Sequence, residues 1–176
     1  MEHKLILDEK AMERAIARIS FEIIERNKGA DNLCIIGILS RGAELGKRIA
    51  EKIGQVEGKA VPYGMLDITA FRDDKKLSAA HQDQTKIPFE VENKQVVLVD
   101  DVIYTGRSAR SAMDAVMKRG RPKTVQLAVL VDRGHRELPI RADFIGKNLP
   151  TSKQETVQVK VKERDGVNSV LILPEQ

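Results

Sequence analysis

At 176 residues, with 41% hydrophobic and 32% charged residues, the chain has the composition of one globular domain and not of a disordered segment. Aromatics are only 3% and Trp is absent, which argues against an aromatic base-stacking platform and leaves Ile, Leu, Val and Ala to build the core. The net charge of +4 is too small to imply a nucleic-acid partner by itself.

Asp8 reads as an N-cap. Behind it Met12, Ala15, Ile16, Ile19 and Ile23 recur at helical steps up to Gly29. The apolar run Leu33 to Ile38 suits a strand buried on both faces, and its lone Cys34 reads as a core thiol. Ser40-Arg41-Gly42 turns into a second helix carrying Leu45, Ile49 and Ile53 and ending near Gly54. Ala60 to Ile68 reads as a strand, and Thr69 to Asn93 as a long polar insertion of the kind that forms a mobile loop. Gln95 to Val99 is the clearest buried strand, followed by a loop from Asp100 to Arg107 and a helix from Ser108 to Lys118 closed by Gly120. Val125 to Val131 is a further strand. Glu155 to Val161 and Asn168 to Leu173 are two more, turning at Asp165-Gly166. This order predicts an α/β domain with a mainly parallel sheet. Met1-Glu2-His3-Lys4 shows no signal-peptide core and no apolar stretch approaches bilayer length, so a cytoplasmic location without membrane contact is expected.

Between Lys118 and Lys147 eight basic residues stand against three acids, a concentration that could attract a polyanion or serve as a solvated, ion-paired surface.

The chemistry concentrates in Val96 to Ala109. A strand entering from the apolar side brings Asp100 and Asp101 to its carboxyl end, where open α/β sheets bind ligands. Adjacent acids there need hydroxyls, cations or a metal as partners, because unpaired buried carboxylates are costly. Beyond them Thr105-Gly106-Arg107-Ser108 opens a helix whose free N–H groups, hydroxyls and glycine suit a phosphate. Acids for sugar hydroxyls beside a phosphate cradle describe a ribose 5-phosphate site. No P-loop or dinucleotide fingerprint is present.

That stretch resembles the phosphoribosyl-pyrophosphate motif of type I phosphoribosyltransferases. Asp67-Ile68-Thr69, Arg72-Asp73-Asp74, Gly120-Arg121-Pro122, the run Gln126 to Asp143, Gly146-Lys147-Asn148 and Pro150-Thr151-Ser152 extend the likeness. Together they resemble the bifunctional pyrimidine-operon attenuation regulators that are also uracil phosphoribosyltransferases. The resemblance implies one domain over 1–176 with the type I phosphoribosyltransferase fold: an α/β architecture with a mainly parallel central sheet flanked by helices, a small hood, and a mobile loop at about 69–93. It implies that Asp100 and Asp101 hold the ribose hydroxyls, that Thr105, Gly106, Arg107 and Ser108 hold the 5-phosphate, and that Val102, Ile103 and Tyr104 also bind substrate. Ser40, Arg41 and Gly42 match a pyrophosphate loop that often contains a cis peptide. Arg72 matches the start of a closing loop, and Arg133 and Val157 match positions near the uracil. Asp100, Asp101 and Arg72 are the implied catalytic residues. Mg²⁺ is the implied cofactor, held through substrate, and uridine mono- and triphosphate (UMP and UTP) are further implied ligands.

By the same resemblance Arg18, Arg26, His135, Arg136, Arg141 and Lys147 contact a stem-loop in the leader mRNA of a pyrimidine operon, and the chain forms a homodimer or higher homo-oligomer. Members commonly carry Thr and His where this chain has Ala17 and Phe21, and a polar or basic residue where it has Leu39. These changes are expected to remove polar character near the RNA face. A purine-type phosphoribosyltransferase, or an enzyme without RNA binding, shares the sugar-phosphate motif.

Overall fold

The computed structural model describes residues 3–174. Asp8 accepts the Ala11 N–H at 2.8 Å and so starts α1 (Glu9–Asn27), which follows a short strand, β1 (Lys4–Leu7). Lys28, ahead of Gly29, takes the left-handed position that ends the helix. β2 (Leu33–Ile38) is buried along its whole length, as its unbroken apolar run predicts, and burial pushes the Cys34 thiol up to about 12.

The second helix, α2 (Arg41–Glu57), runs past Gly54 to a left-handed Gly58. An interior glycine weakens a helix by about 1 kcal/mol but does not end one whose Ala50 and Ile53 are packed. β3 (Tyr63–Leu66) is shorter than expected, and a 3-10 turn follows at Thr69–Phe71.

β4 (Gln95–Ile103) is longer than expected because the acids do not interrupt it: Asp100 pairs with Val129 and Val102 with Val131 of β5 (Thr124–Asp132). A carboxylate on a strand leaves the backbone ladder intact. Between them lies α3 (Arg107–Arg119), beginning one residue before the predicted start. After β5 comes β6 (Phe144–Asn148), which the sequence reading missed, then β7 (Thr156–Lys160), a helical turn α4 (Lys162–Asp165), and β8 (Ser169–Leu173). The α4 turn stands where a plain turn was expected, with Gly166 left-handed at its end.

Five strands form a parallel sheet in the order β3-β2-β4-β5-β6, and β1-β8-β7 form a separate antiparallel sheet, the hood. On one face of the parallel sheet Ile35, Val97 and Val99 meet Ile19, Ile49 and Ile53 of α1 and α2. On the other, Ile36, Val96 and Leu98 meet Ala112 and Val116 of α3. Burial on both faces explains why the central strands read as continuous apolar runs. Among the described residues no helix is long and apolar enough to cross a membrane.

The polar insertion is not all without a core. Met65 bridges Lys86, and Ile87 and Val91 are buried, so its last part is tied to the domain. Residues 73–80 are exposed throughout.

Candidate active site

Helix α2 lies unusually close to β4. A Cβ on Gly42 would fall 2.6 Å from the Val99 carbonyl oxygen and 3.0 Å from the Asp100 Cα. Only a hydrogen fits there, and this contact sets the Ser40-Arg41-Gly42 loop beside the acid pair. The Leu39–Ser40 peptide in that loop is cis.

At the end of β4 each acid accepts the next backbone N–H, Asp101 N–H to Asp100 at 2.9 Å and Val102 N–H to Asp101 at 2.8 Å. Burial, and then the neighbouring Asp101 charge, hold the Asp100 carboxyl well above the ordinary carboxylate value, with Arg72 opposing them. Two like charges in one poorly solvated place cannot both ionise freely.

Gly106 precedes α3 at φ +93°, a conformation that favours glycine, and the helix has no side-chain cap there. Thr105 Oγ1 accepts the Arg107 N–H at 3.2 Å, and Ser108 Oγ accepts from Arg72 Nη1 at 3.2 Å. A cleft of about 380 Å³ opens above, lined by Asp100, Val102 to Ala109, Arg72 and Glu137. That volume suits a small ligand.

The arginines are individually restrained. Arg72 pairs with Asp74, holding that carboxyl down to about 2. The Arg107 guanidinium pairs with Asp73 at 2.7 Å and Glu137 at 2.9 Å. Arg41 pairs with Asp165 at 2.7 Å. Arg133 is 8% exposed, stands 4.2 Å from the Tyr104 ring centre, and donates to the Ser152 and Glu155 carbonyls at 3.0 and 2.7 Å. Its Nε is buried without an acceptor, an open donor beside the cleft-lining Tyr104. Val157 lies half-buried on β7.

The six expected RNA residues separate into two groups. Arg18 donates to the Ile145 and Gly146 carbonyls, and Arg26 pairs with Asp143 at 2.9 Å, so α1 lies along β6 near the exposed Arg141 and Lys147. His135 and Arg136 lie elsewhere, packed against the cleft-lining Tyr104. His135 Nε2 is 2.5 Å from the Thr151 carbonyl, and Arg136 bridges Asp132 at 2.5 Å to the Tyr104 carbonyl at 2.9 Å. The basic segment 118–147 is therefore not one patch, since Arg133 is buried and Lys118 and Arg119 end α3. Phe21 is 51% exposed with the Lys52 ammonium 5.7 Å from its ring centre. Leu39 is not on α1: it follows β2, and its N–H donates to the Leu66 carbonyl at the end of β3.

Among the described residues no three His, Cys, Asp or Glu side chains cluster as a metal cage. An adjacent pair of carboxylates suits Mg²⁺, which keeps waters and takes most of its oxygens from phosphates.

The profile of the phosphoribosyl transferase domain matches residues 3–164. The chain is 61% identical to the Bifunctional protein PyrR of Acetivibrio thermocellus, over 95% of this chain and 92% of that protein. It is 56% identical to the Pyrimidine operon regulatory protein of Lactococcus lactis, over 98% of both. This chain belongs to the PyrR family of phosphoribosyl transferases. The phosphoribosyl transferase fold is seen again in the hypoxanthine phosphoribosyltransferase of Trypanosoma cruzi, with a TM-score of 0.73 at 16% identity over 98% of this chain and 97% of that one. A Staphylococcus aureus hypoxanthine phosphoribosyltransferase gives 0.71 at 18% identity over 95% and 90%.

For this phosphoribosyl transferase the acid pair predicts a stability signature. A raised folded-state pKa means that stability is fully present below the ordinary value of 3.8 and is lost as pH rises through the raised value. Asp100→Asn removes that loss and keeps an oxygen for the Asp101 N–H. Its melting temperature should exceed the wild-type value at pH 7.5, and the gap should close as pH falls. Equal gaps at all pH values, measured by calorimetry, would contradict the burial argument.

Proposed function

We propose that the chain is a cytoplasmic uracil phosphoribosyltransferase, making UMP and pyrophosphate from uracil and phosphoribosyl pyrophosphate. We propose further that it regulates a pyrimidine operon by binding leader RNA in response to UMP and UTP. The observation that carries the first reading is the cleft in which Asp100, with Asp101 next to it in the strand, stands beside the uncapped start of α3.

In this reading Asp100 and Asp101 accept hydrogen bonds from the ribose hydroxyls, and the first-turn N–H groups of α3 with Thr105 and Ser108 hold the 5-phosphate. Ser40, Arg41 and Gly42 receive the pyrophosphate, and the Arg133 Nε donates to a uracil carbonyl oxygen. Uracil N1 forms a bond to C1 of the sugar and gives up its proton to the departing pyrophosphate or to water, while the bond from C1 to the pyrophosphate oxygen breaks, and no protein nucleophile is needed. The acids stabilise positive charge developing on the ribosyl group. Asp100 and Asp101 would hold Mg²⁺ through the donor's hydroxyls, and the ion would supply positive charge that favours departure of the pyrophosphate. Arg72 and the exposed residues after it close over the reacting centre and keep water out.

The RNA reading rests on the α1–β6 face, where Arg141 and Lys147 are exposed beside Arg18 and Arg26. Arg136, paired with Asp132 and donating to the Tyr104 carbonyl, is less free to meet an RNA phosphate.

Three outcomes test these assignments. Replacing Asp100 and Asp101 together by Asn should leave far-UV circular dichroism unchanged and reduce kcat/KM below about a tenth, a loss above roughly 1.4 kcal/mol. Higher retention sinks the sugar assignment. Amide exchange across 73–85 should slow when phosphoribosyl pyrophosphate and Mg²⁺ bind, and unaltered exchange rules out the closing loop. Arg141→Gln with Lys147→Gln should flatten the log–log salt dependence of leader-RNA binding by about 0.7 to 0.9 per lost phosphate contact. If the unaltered chain does not prefer a pyrimidine-leader stem-loop to unrelated RNA, the regulatory reading fails.

A further inference from the structure

Arg41, Glu44 and Arg48 stand at i, i+3 and i+7 of α2, one stripe along the helix. All three meet the short α4 turn of the hood or the residues beside it. Arg48 pairs with Glu163 at 2.7 Å and donates to Asn168 at 2.8 Å, and Glu44 pairs with Arg164 at 3.5 Å. These two pairs suffice to seat the hood on α2. The third contact differs in place and in geometry. Arg41 is the first residue of α2, within the Ser40-Arg41-Gly42 loop, and its Nε and Nη2 meet the two Asp165 oxygens at 3.1 and 2.7 Å. A two-point contact of this kind fixes the plane of a guanidinium as well as its position.

Asp165 is itself held. Its Oδ2 accepts the Val161 N–H at 2.8 Å, and its own N–H donates to the Val161 carbonyl at 2.7 Å, so the carboxylate is part of the turn between two paired strands. The side chain is only 17% exposed, while that of Arg41 is 35% exposed. No hydrogen bond among the described residues uses Arg41 Nη1, which leaves one edge of the guanidinium open. Asp165 and Asp101 both raise the Arg41 pKa, placing its charge between the hood and the acid pair.

We infer that Asp165 is a positioning residue, holding the open edge of Arg41 toward the pyrophosphate end of the sugar-phosphate donor. This rests on the proposed transferase reading and deepens it: the hood, 124 residues away in sequence, sets the orientation of a cation in the pyrophosphate loop. Without that carboxylate a long arginine side chain samples many rotamers, and binding the donor must then fix it.

Steady-state kinetics on Asp165→Asn, alone and with Arg41→Gln, test this. Asn keeps an oxygen for the Val161 N–H and removes only the charge-assisted pair. The KM for phosphoribosyl pyrophosphate should rise roughly tenfold, the size of one charge-assisted hydrogen bond. Affinity for UMP, which lacks pyrophosphate, should stay within about twofold. In the Arg41→Gln background, Asp165→Asn should add nothing, because its effect passes through the missing guanidinium. Glu163→Gln loosens the hood without touching Arg41 and should leave this KM unchanged. Should the Asn variant unfold, Asp165→Glu keeps the charge but moves the carboxylate by one methylene, and the same rise in KM is expected. Independent, multiplying effects of the Asp165 and Arg41 changes overturn the inference. So does a fall in kcat and melting temperature with KM unmoved, which is the mark of a structural clip alone. Turnover with either result leaves the transferase reading standing, whereas no turnover of phosphoribosyl pyrophosphate by the unaltered chain overturns both.

Discussion

Two adjacent carboxylates at the end of a buried strand repel each other and lose water at the same time, and the site is arranged around that conflict. Asp100 answers it by holding a raised pKa, and Arg72 and Arg41 supply opposing positive charge from two different elements. The pair can be kept there because β4 goes on pairing with β5 beneath it, so the strand and not the side chains supplies the stability. A site of this kind is under strain without ligand, and hydroxyls or cations that satisfy the acids relieve it.

The close approach of α2 to β4 at Gly42 brings the remaining parts together. It places a helix start carrying Arg41 next to the acids, while α3 begins on the other side at an uncapped glycine. Two helix N-termini then lie near the acid pair, each contributing partial positive charge without a lysine. The chain thus assembles an anion-attracting site although its overall charge is only +4.

What could be read from the sequence was whatever is local. β2 was found at its observed bounds because its apolar run is unbroken, and α1 because its cap and its period agree. The acid pair and the uncapped start of α3 were visible because strand, acids, glycine and hydroxyls follow each other within one stretch. β6 was missed because Gly146, Lys147 and Asn148 look like a turn. The glycine is there for another reason, since a Cβ would fall 2.5 Å from the Leu130 carbonyl oxygen of the neighbouring strand. β1 escaped notice because four residues give too short a pattern. Arginine partners were equally hidden. Nothing near Arg41 in sequence announces Asp165, and the six residues grouped as an RNA surface include Arg136, which is paired with Asp132 and donates to the Tyr104 carbonyl.

The carboxylates that restrain these arginines belong to two kinds of backbone, which separates their physical roles. Asp132 ends β5 beside buried Val131, and Asp165 is bonded to buried Val161 where β7 stops, so moving either disturbs a ladder. Asp73 and Asp74 sit in the exposed stretch after the 3-10 turn, with no core beneath them. Exposed pairs of this second kind contribute little to stability and can be exchanged for other anions at small loss. In the proposed reading, a phosphate arriving at Arg72 meets a cation whose partner, Asp74, lies on that exposed stretch. At Arg41 and Arg136 the partner stays, and the cation keeps its place.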